Sequence, residues 1–183
     1  MRPKAILVVL GLFLLAVVLL SLGPAGYEKV GSMQSLPART AAIRKAHPGV
    51  EHLAPDTLEW IMRSEARLLL VDARPPDEYE VSRIDGALNL ESVSAVENHL
   101  AEVEDPPEVI VVYGSVGKRS AKLAERLQSV GHAEARNLAG SIFQWANEGR
   151  GLVDSAGEPV DVVHPGGRFQ SHLLEPARRA NGD

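Results

Sequence analysis

The residues best placed to do chemistry form one short run, Tyr113-Gly114-Ser115-Val116-Gly117-Lys118-Arg119-Ser120, which joins an apolar strand directly to the start of a helix. Ligands of open α/β sheets sit at the carboxyl ends of strands, where helix amides face outwards. Gly114 and Gly117 let the backbone curl with its N–H groups turned inwards, and Lys118 and Arg119 add positive charge. The run therefore has the makings of an anion-binding loop, with Gly114, Ser115, Val116, Gly117, Lys118, Arg119 and Ser120 as its candidate residues. A Walker A loop is excluded, because Val112 stands where its first glycine belongs and Arg119 stands in place of Ser or Thr after the lysine. A glycine-rich turn without a ligand is the competing reading.

The remaining chemistry-bearing residues narrow the choice. The chain has no cysteine, so it carries no thiolate nucleophile, persulfide, disulfide or cysteine-ligated metal of its own. His47, His52, His99, His132, His164 and His172 are scattered and never fall in an HExxH spacing, so neither a metal nor a cofactor is implied. The acidic run Asp77, Glu78, Glu80 reads as a solvated helix start, as do Glu102, Glu104 and Asp105. Trp60, Phe143 and Trp145 read as core residues, and the Arg178–Arg179 pair is too small a patch for lipid or nucleic acid. A net charge of −5 likewise disfavours nucleic acid as a partner.

The positioning elements follow from the apolar pattern. Leu68–Val71 and Val109–Val112 are short continuous apolar runs, the mark of buried parallel strands. Asp56-Thr57-Leu58-Glu59 has the pattern of a capped helix start, and helices are expected near 76–82, near 93–103 and over 119–130, the last ending at Gly131. Asn137 to Gly140 reads as a strand and turn, with Ser141 capping a helix that carries Ile142, Phe143 and Trp145. Strands alternating with helices predict an α/β domain with a central parallel sheet flanked by helices.

Ahead of the domain, residues 5–22 form eighteen uncharged residues, which as a helix would cover about 27 Å, just enough to span a bilayer. Arg2 and Lys4 precede this run, which predicts a transmembrane anchor over residues 1–23 with the domain on the extracytoplasmic, periplasmic side. The alternative is a signal peptide cleaved near Gly23-Pro24-Ala25, giving a secreted domain. Residues 24–48 read as a juxtamembrane linker with a short helix over 41–46, residues 49–155 as one domain, and residues 156–183 as a partly disordered extension that wraps loosely and frays from about Glu175.

Three segments in order resemble the rhodanese-like family: Asp72-Ala73-Arg74-Pro75-Pro76-Asp77-Glu78-Tyr79, then Arg83-Ile84-Asp85-Gly86-Ala87-Leu88-Asn89, then Gly114 to Ser120. Asn137 to Trp145 resembles the family's closing Leu-x-Gly-Gly and tryptophan-bearing helix. The resemblance implies a rhodanese-like fold over about residues 51–152 and sulfurtransferase ancestry, which the six-residue length of the loop also suits. It places the family's nucleophilic cysteine at Gly114, which has no atom that can carry a sulfane sulfur. Asp72 and Arg74 then fix the strand end through a salt bridge, either mutual or directed to the loop. No catalytic residue is expected, and Ser115, a poor nucleophile without a base in the loop, is a remote candidate. The function implied is an anion-binding or protein-interaction module at a membrane, recognising a small anion or the acidic group of a protein partner. The alternative is an active sulfurtransferase with a non-cysteine or partner-supplied nucleophile.

Overall fold

The computed structural model describes residues 35–167 and 170–180. The expected membrane segment lies outside them, and among the described residues no helix is long and apolar enough to cross a membrane.

The chain runs α1 (Leu36–Ala46), β1 (His52–Leu53), α2 (Pro55–Arg63), β2 (Leu68–Asp72), α3 (Pro76–Val81), β3 (Leu88–Asn89), α4 (Val93–Glu102), β4 (Val109–Tyr113), α5 (Lys118–Ser129), β5 (Ala135–Leu138) and α6 (Ser141–Asn147). A small antiparallel hairpin follows, β6 (Leu152–Val153) with β7 (Pro159–Val160), and then two 3₁₀ turns, Ser171–Leu173 and Pro176–Arg178. The five main strands form a wholly parallel sheet in the order β1-β5-β4-β2-β3.

That order explains the unbroken apolar runs. Leu70, Val111 and Tyr113 face a layer that includes Leu58, Ile142 and Phe143, whereas Leu69, Val71, Ile110 and Val112 face Val96, Leu123 and Leu127. A strand covered on both faces has no solvent side on which polar residues could alternate. The order also sets the ligand position. From β2 the chain steps outward to β3 on one side and then returns to β4 on the other, so the winding reverses between β2 and β4 and opens a crevice at their carboxyl ends.

The helix ends differ from expectation for local reasons. Pro55, with its fixed φ, starts α2 behind Ala54, so Asp56 sits inside the first turn rather than capping it, and Asp56 and Glu59 pair with Arg150. Gly140, at φ 68°, takes the N-cap position of α6, and Ser141 becomes its first residue. At the end of α5 the chain reverses at Gly131 as expected, with φ 115° and the His132 amide donating to Leu127 O at 3.0 Å.

Three expectations about packing are corrected. The stretch before residue 48 is not all linker, because α1 is capped by Ser35, buries Leu36 and brings Ile43 against the loop after β4. Trp60 is 70% exposed, since the apolar stripe of α2 turns on Leu58 and leaves Trp60 outside it. The C-terminal segment packs tightly: Val163, Leu173 and Leu174 enter the core, and Val163 bridges Arg179, its amide donating to Arg178 O and its carbonyl accepting from the Ala180 amide. These apolar side chains give the segment a reason to dock that its glycines, prolines and arginines conceal.

Candidate functional site

The site begins with two neighbouring strand ends. β2 and β4 pair in a register that sets Asp72 beside Tyr113, so both strands stop at the same level. The Ala73 amide donates to Tyr113 O at 2.9 Å, which ties the two exits together.

After β2 the chain makes a buried polar turn, complete around Asp72 but leaving Arg74 Nη1 without a partner among the described residues. Asp72 Oδ1 accepts from the amide and Nε of Arg74 at 2.9 and 3.0 Å, and Oδ2 accepts from Nε and Nη2 at 3.0 and 2.6 Å. Arg74 Nη2 also donates to Ser82 O, and Asn89 Nδ2 donates to the carbonyls of Asp72 and Arg74. Both partners of this ion pair are fully buried. Burial works against the Arg74 charge, but the hydrogen bonds and charge of Asp72 outweigh it and raise the guanidinium above its ordinary value. Tyr113, beneath Arg74, is pushed well up by burial and by Asp72, and its hydroxyl accepts from the Ile84 amide at 3.2 Å. Asp72 and Arg74 thus brace the strand end.

After β4 the chain makes an open one. The Gly114 amide donates to Ser141 Oγ at 3.0 Å, while the amides of Ile142 and Phe143 donate to the carbonyls of Gly114 and Ser115 at 3.1 Å each. The start of α6 therefore staples the loop. Ser141 at φ 52° is strained, the one non-glycine residue with positive φ among those described, and its hydroxyl serves the loop rather than its own helix. Gly117 takes φ 104°, the left-handed turn that starts α5. The amides of residues 115–120 donate to no acceptor among the described residues, and they face the same end of the sheet as Arg119, whose Nη1 donates to Ala73 O at 3.1 Å. A cavity of about 270 Å³ opens here, lined by Ser115, Val116, Gly117, Lys118, Arg119, Lys122 and Gln170. Free amides with two cations at a helix start make an anion site in chemical terms.

Glu78 is the residue that sequence reasoning misplaced. It is not a solvated member of an acidic run: it is buried, and Ser115 Oγ donates to its Oε2 at 3.1 Å. α3 turns Glu78 inward while Asp77 and Glu80 stay exposed, and nothing in the local sequence separates the three. Asn137 and His52 likewise carry no sequence signal that ties them to the loop. Asn137 Nδ2 lies 2.9 Å from His52 Nδ1 and within 3.7 Å of where a Gly117 Cβ would stand, so the pair supports the loop from below. Burial lowers the His52 pKa, its bond to His47 O raising it only in part, and the positive charges of Arg44 and His47 lower it further.

The model of the rhodanese-like domain matches residues 54–148. The chain belongs to the rhodanese-like domain family. Among relatives, it is 30% identical over 97 residues to the probable adenylyltransferase/sulfurtransferase MoeZ of Mycobacterium tuberculosis, a match covering 52% of this chain and 24% of that protein. A sulfurtransferase of Allochromatium vinosum is 29% identical over 108 residues, covering 59% of this chain and 99% of the relative. The rhodanese-like chain thus spans about a quarter of the MoeZ relative and nearly all of the second. The fold resembles that of thiosulfate sulfurtransferase from Pseudomonas aeruginosa, with a TM-score of 0.56 at 21% identity over 67% of this chain and 23% of that one. It also resembles the BH2092 protein of Bacillus halodurans, with a TM-score of 0.51 at 18% identity over 66% and 87% of the two chains.

Within this rhodanese-like domain, Gly114 stands at the head of the loop without needing to be glycine. Its backbone lies outside the left-handed region, and a Cβ built there would meet Ser120 Oγ at 3.7 Å and Arg119 Cβ at 3.9 Å, ordinary contacts.

Proposed function

We propose that this rhodanese-like protein does not transfer sulfur by itself and that it uses the loop after β4 to hold a small anion or the acidic group of a protein partner. The observation that carries the reading is Gly114: the position accommodates a side chain, yet the chain has none there to hold a sulfane sulfur, while the binding amides beside it stay unpaired. Arg119 and Lys118 supply the charge, and Glu78 opposes it from the inner side. The apolar run over residues 5–22 anchors the protein in a membrane with its domain on the extracytoplasmic side.

Ser115 is a hydrogen-bonded wall of this site rather than its nucleophile. Its hydroxyl points to Glu78, but a carboxylate is a weak base for a hydroxyl, and sulfane sulfur transfer calls for a soft atom.

The test is thiosulfate-to-cyanide sulfur transfer by the full chain in a neutral detergent, natural sequence against Gly114→Cys, alongside titration with sulfate. A silent natural protein that binds sulfate, with turnover gained in the variant, supports the proposal. Turnover by the natural chain alone overturns it, and loss of that turnover in Ser115→Ala would then name the nucleophile. Absence of sulfate binding removes the anion-holding half.

A further inference from the structure

The loop cavity has a neighbour. A second cavity of about 310 Å³ lies between the starts of α4 and α5, lined by Glu91, Ser92, Val93, Ser94, Arg119, Lys122, Leu123 and Arg126, so that Arg119 and Lys122 belong to both. The two openings lie on either side of these two cations, and together they make up the groove. Along α5 the wall runs Arg119, Lys122, Arg126, three exposed cations at helical spacing on one face, with Lys118 beside the first.

These cations are uncommitted. Lys118, Arg119, Lys122 and Arg126 have no ion-pair partner among the described residues, and unlike Arg39, Arg44, Lys45, Arg83 and Arg179, which also lack one, they stand together along one helix face. The one carboxylate of α5, Glu125, could have neutralised Lys122 at i,i+3 but is turned to His47 Nδ1 of the neighbouring segment at 3.0 Å. The opposite wall adds donors. Ser92 Oγ accepts from the Ala95 amide, while the amides of Val93 and Ser94 donate to no acceptor among the described residues.

We infer that this groove binds an extended acidic segment of a partner protein, with one carboxylate at the loop after β4 and a second between Lys122, Arg126 and the start of α4. This names the partner for the anion-holding loop and rests on that reading. The spacing is set by α5: from Arg119 to Arg126 is about 10 Å at 1.5 Å per residue. A peptide in the extended polyproline II conformation rises about 3.1 Å per residue with three residues per turn, so acidic side chains three residues apart lie on one face about 9 Å apart and match it. Neither cavity is lined by an aromatic ring on which a nucleobase could stack. Glu91 on the far wall and Glu78 at the loop would repel a chain with a phosphate at every step, while separated carboxylates can pass between them.

The test uses the full chain in a neutral detergent at low salt, titrated with a blocked hexapeptide carrying glutamates at its second and fifth positions and with its glutamine counterpart. Sulfate serves as the probe for the loop alone. Arg126→Glu, an exposed change confined to the outer cavity, is expected to weaken the glutamate peptide roughly five- to tenfold while leaving sulfate affinity unchanged. Lys122→Gln gives a smaller loss, and Lys118→Glu weakens both probes. Equal binding of the two peptides, or a glutamate peptide indifferent to Arg126→Glu and Lys122→Gln, overturns the inference even where sulfate binds. Tighter binding of inorganic polyphosphate or a DNA oligonucleotide than of the peptide overturns the choice of partner. Failure of sulfate alone, with the peptide still dependent on Arg126, removes the loop reading and leaves the outer groove.

Discussion

The turns after β2 and after β4 leave the sheet side by side and use their polar groups in opposite ways. At the first, all four hydrogen bonds into the Asp72 carboxylate come from Arg74, within a pair fully removed from solvent. At the second, the amides of residues 115–120 have no acceptor among the described residues, and Ser115 to Arg119 line a cavity. A carboxylate whose oxygens already hold four protein donors can accept nothing more without breaking one of those bonds, and the one donor left over there, Arg74 Nη1, is buried away from any ligand. A set of preorganised donors without protein acceptors is the reverse, a site that gives up only water on binding and breaks no bond of the fold. The same feature of the fold, a strand end at the reversal of winding, thus becomes scaffold or site according to whether local side chains satisfy it.

The contrast is most exposed to failure at Arg74. Arg74→Ala leaves Asp72 as an uncompensated buried charge and is expected to cost about 3–5 kcal/mol in urea unfolding. A loss under about 1 kcal/mol would mean that the first turn is no scaffold. Glycines sharpen the comparison next. Gly140 sits at φ 68° with a would-be Cβ 2.5 Å from Gln144 Cβ, so Gly140→Ala is expected to lower stability by about 2 kcal/mol. Gly114→Ala should change stability by about 0.5 kcal/mol or less, since the position is neither strained nor crowded. If thermal unfolding ranks the two glycines the other way, the loop is not the permissive site described.

A smaller effect is expected at Glu78. Glu78→Gln keeps a hydrogen-bond acceptor for Ser115 but removes the opposing charge, so sulfate should bind roughly two- to fivefold more tightly. Unchanged affinity would place the anion away from Ser115. The smallest effect is a pH dependence beneath the loop. The His52 pKa is lowered on folding, so the unfolded chain takes up its proton first as pH falls. Stability from this group is complete above the ordinary value of 6.5 and is lost as pH drops from there through the lowered folded value. In His52→Gln that part of the pH slope should flatten.

Much of this is legible in the sequence because it is governed by neighbours in the chain. The two apolar runs with a glycine-rich turn and a helix start identify β2, β4 and the loop, and the resemblance of Asp72-Ala73-Arg74 to the family's turn implies a salt bridge, mutual or directed to the loop, of which the structure has the mutual one. What escapes is set by contacts distant in sequence. Glu78 looks like Asp77 and Glu80 until α3 is laid against the loop, 37 positions later. Ser141 reads as a helix cap and instead holds the Gly114 amide, 27 positions earlier, while Trp60 looks apolar enough to bury but lies off the face that α2 presents.

By itself, then, the sequence determined the alternation of strands and helices, the absence of any thiol and the cluster of donors and cations at one turn, because each depends on residue type and short-range spacing. Only the tertiary structure decided which donors stay free, which carboxylate faces them and that Arg119, Lys122 and Arg126 line a single groove with the start of α4. Those outcomes depend on which chain segments pack together. A side chain's partners are fixed by the closing of the sheet and its helices, and no local pattern encodes that.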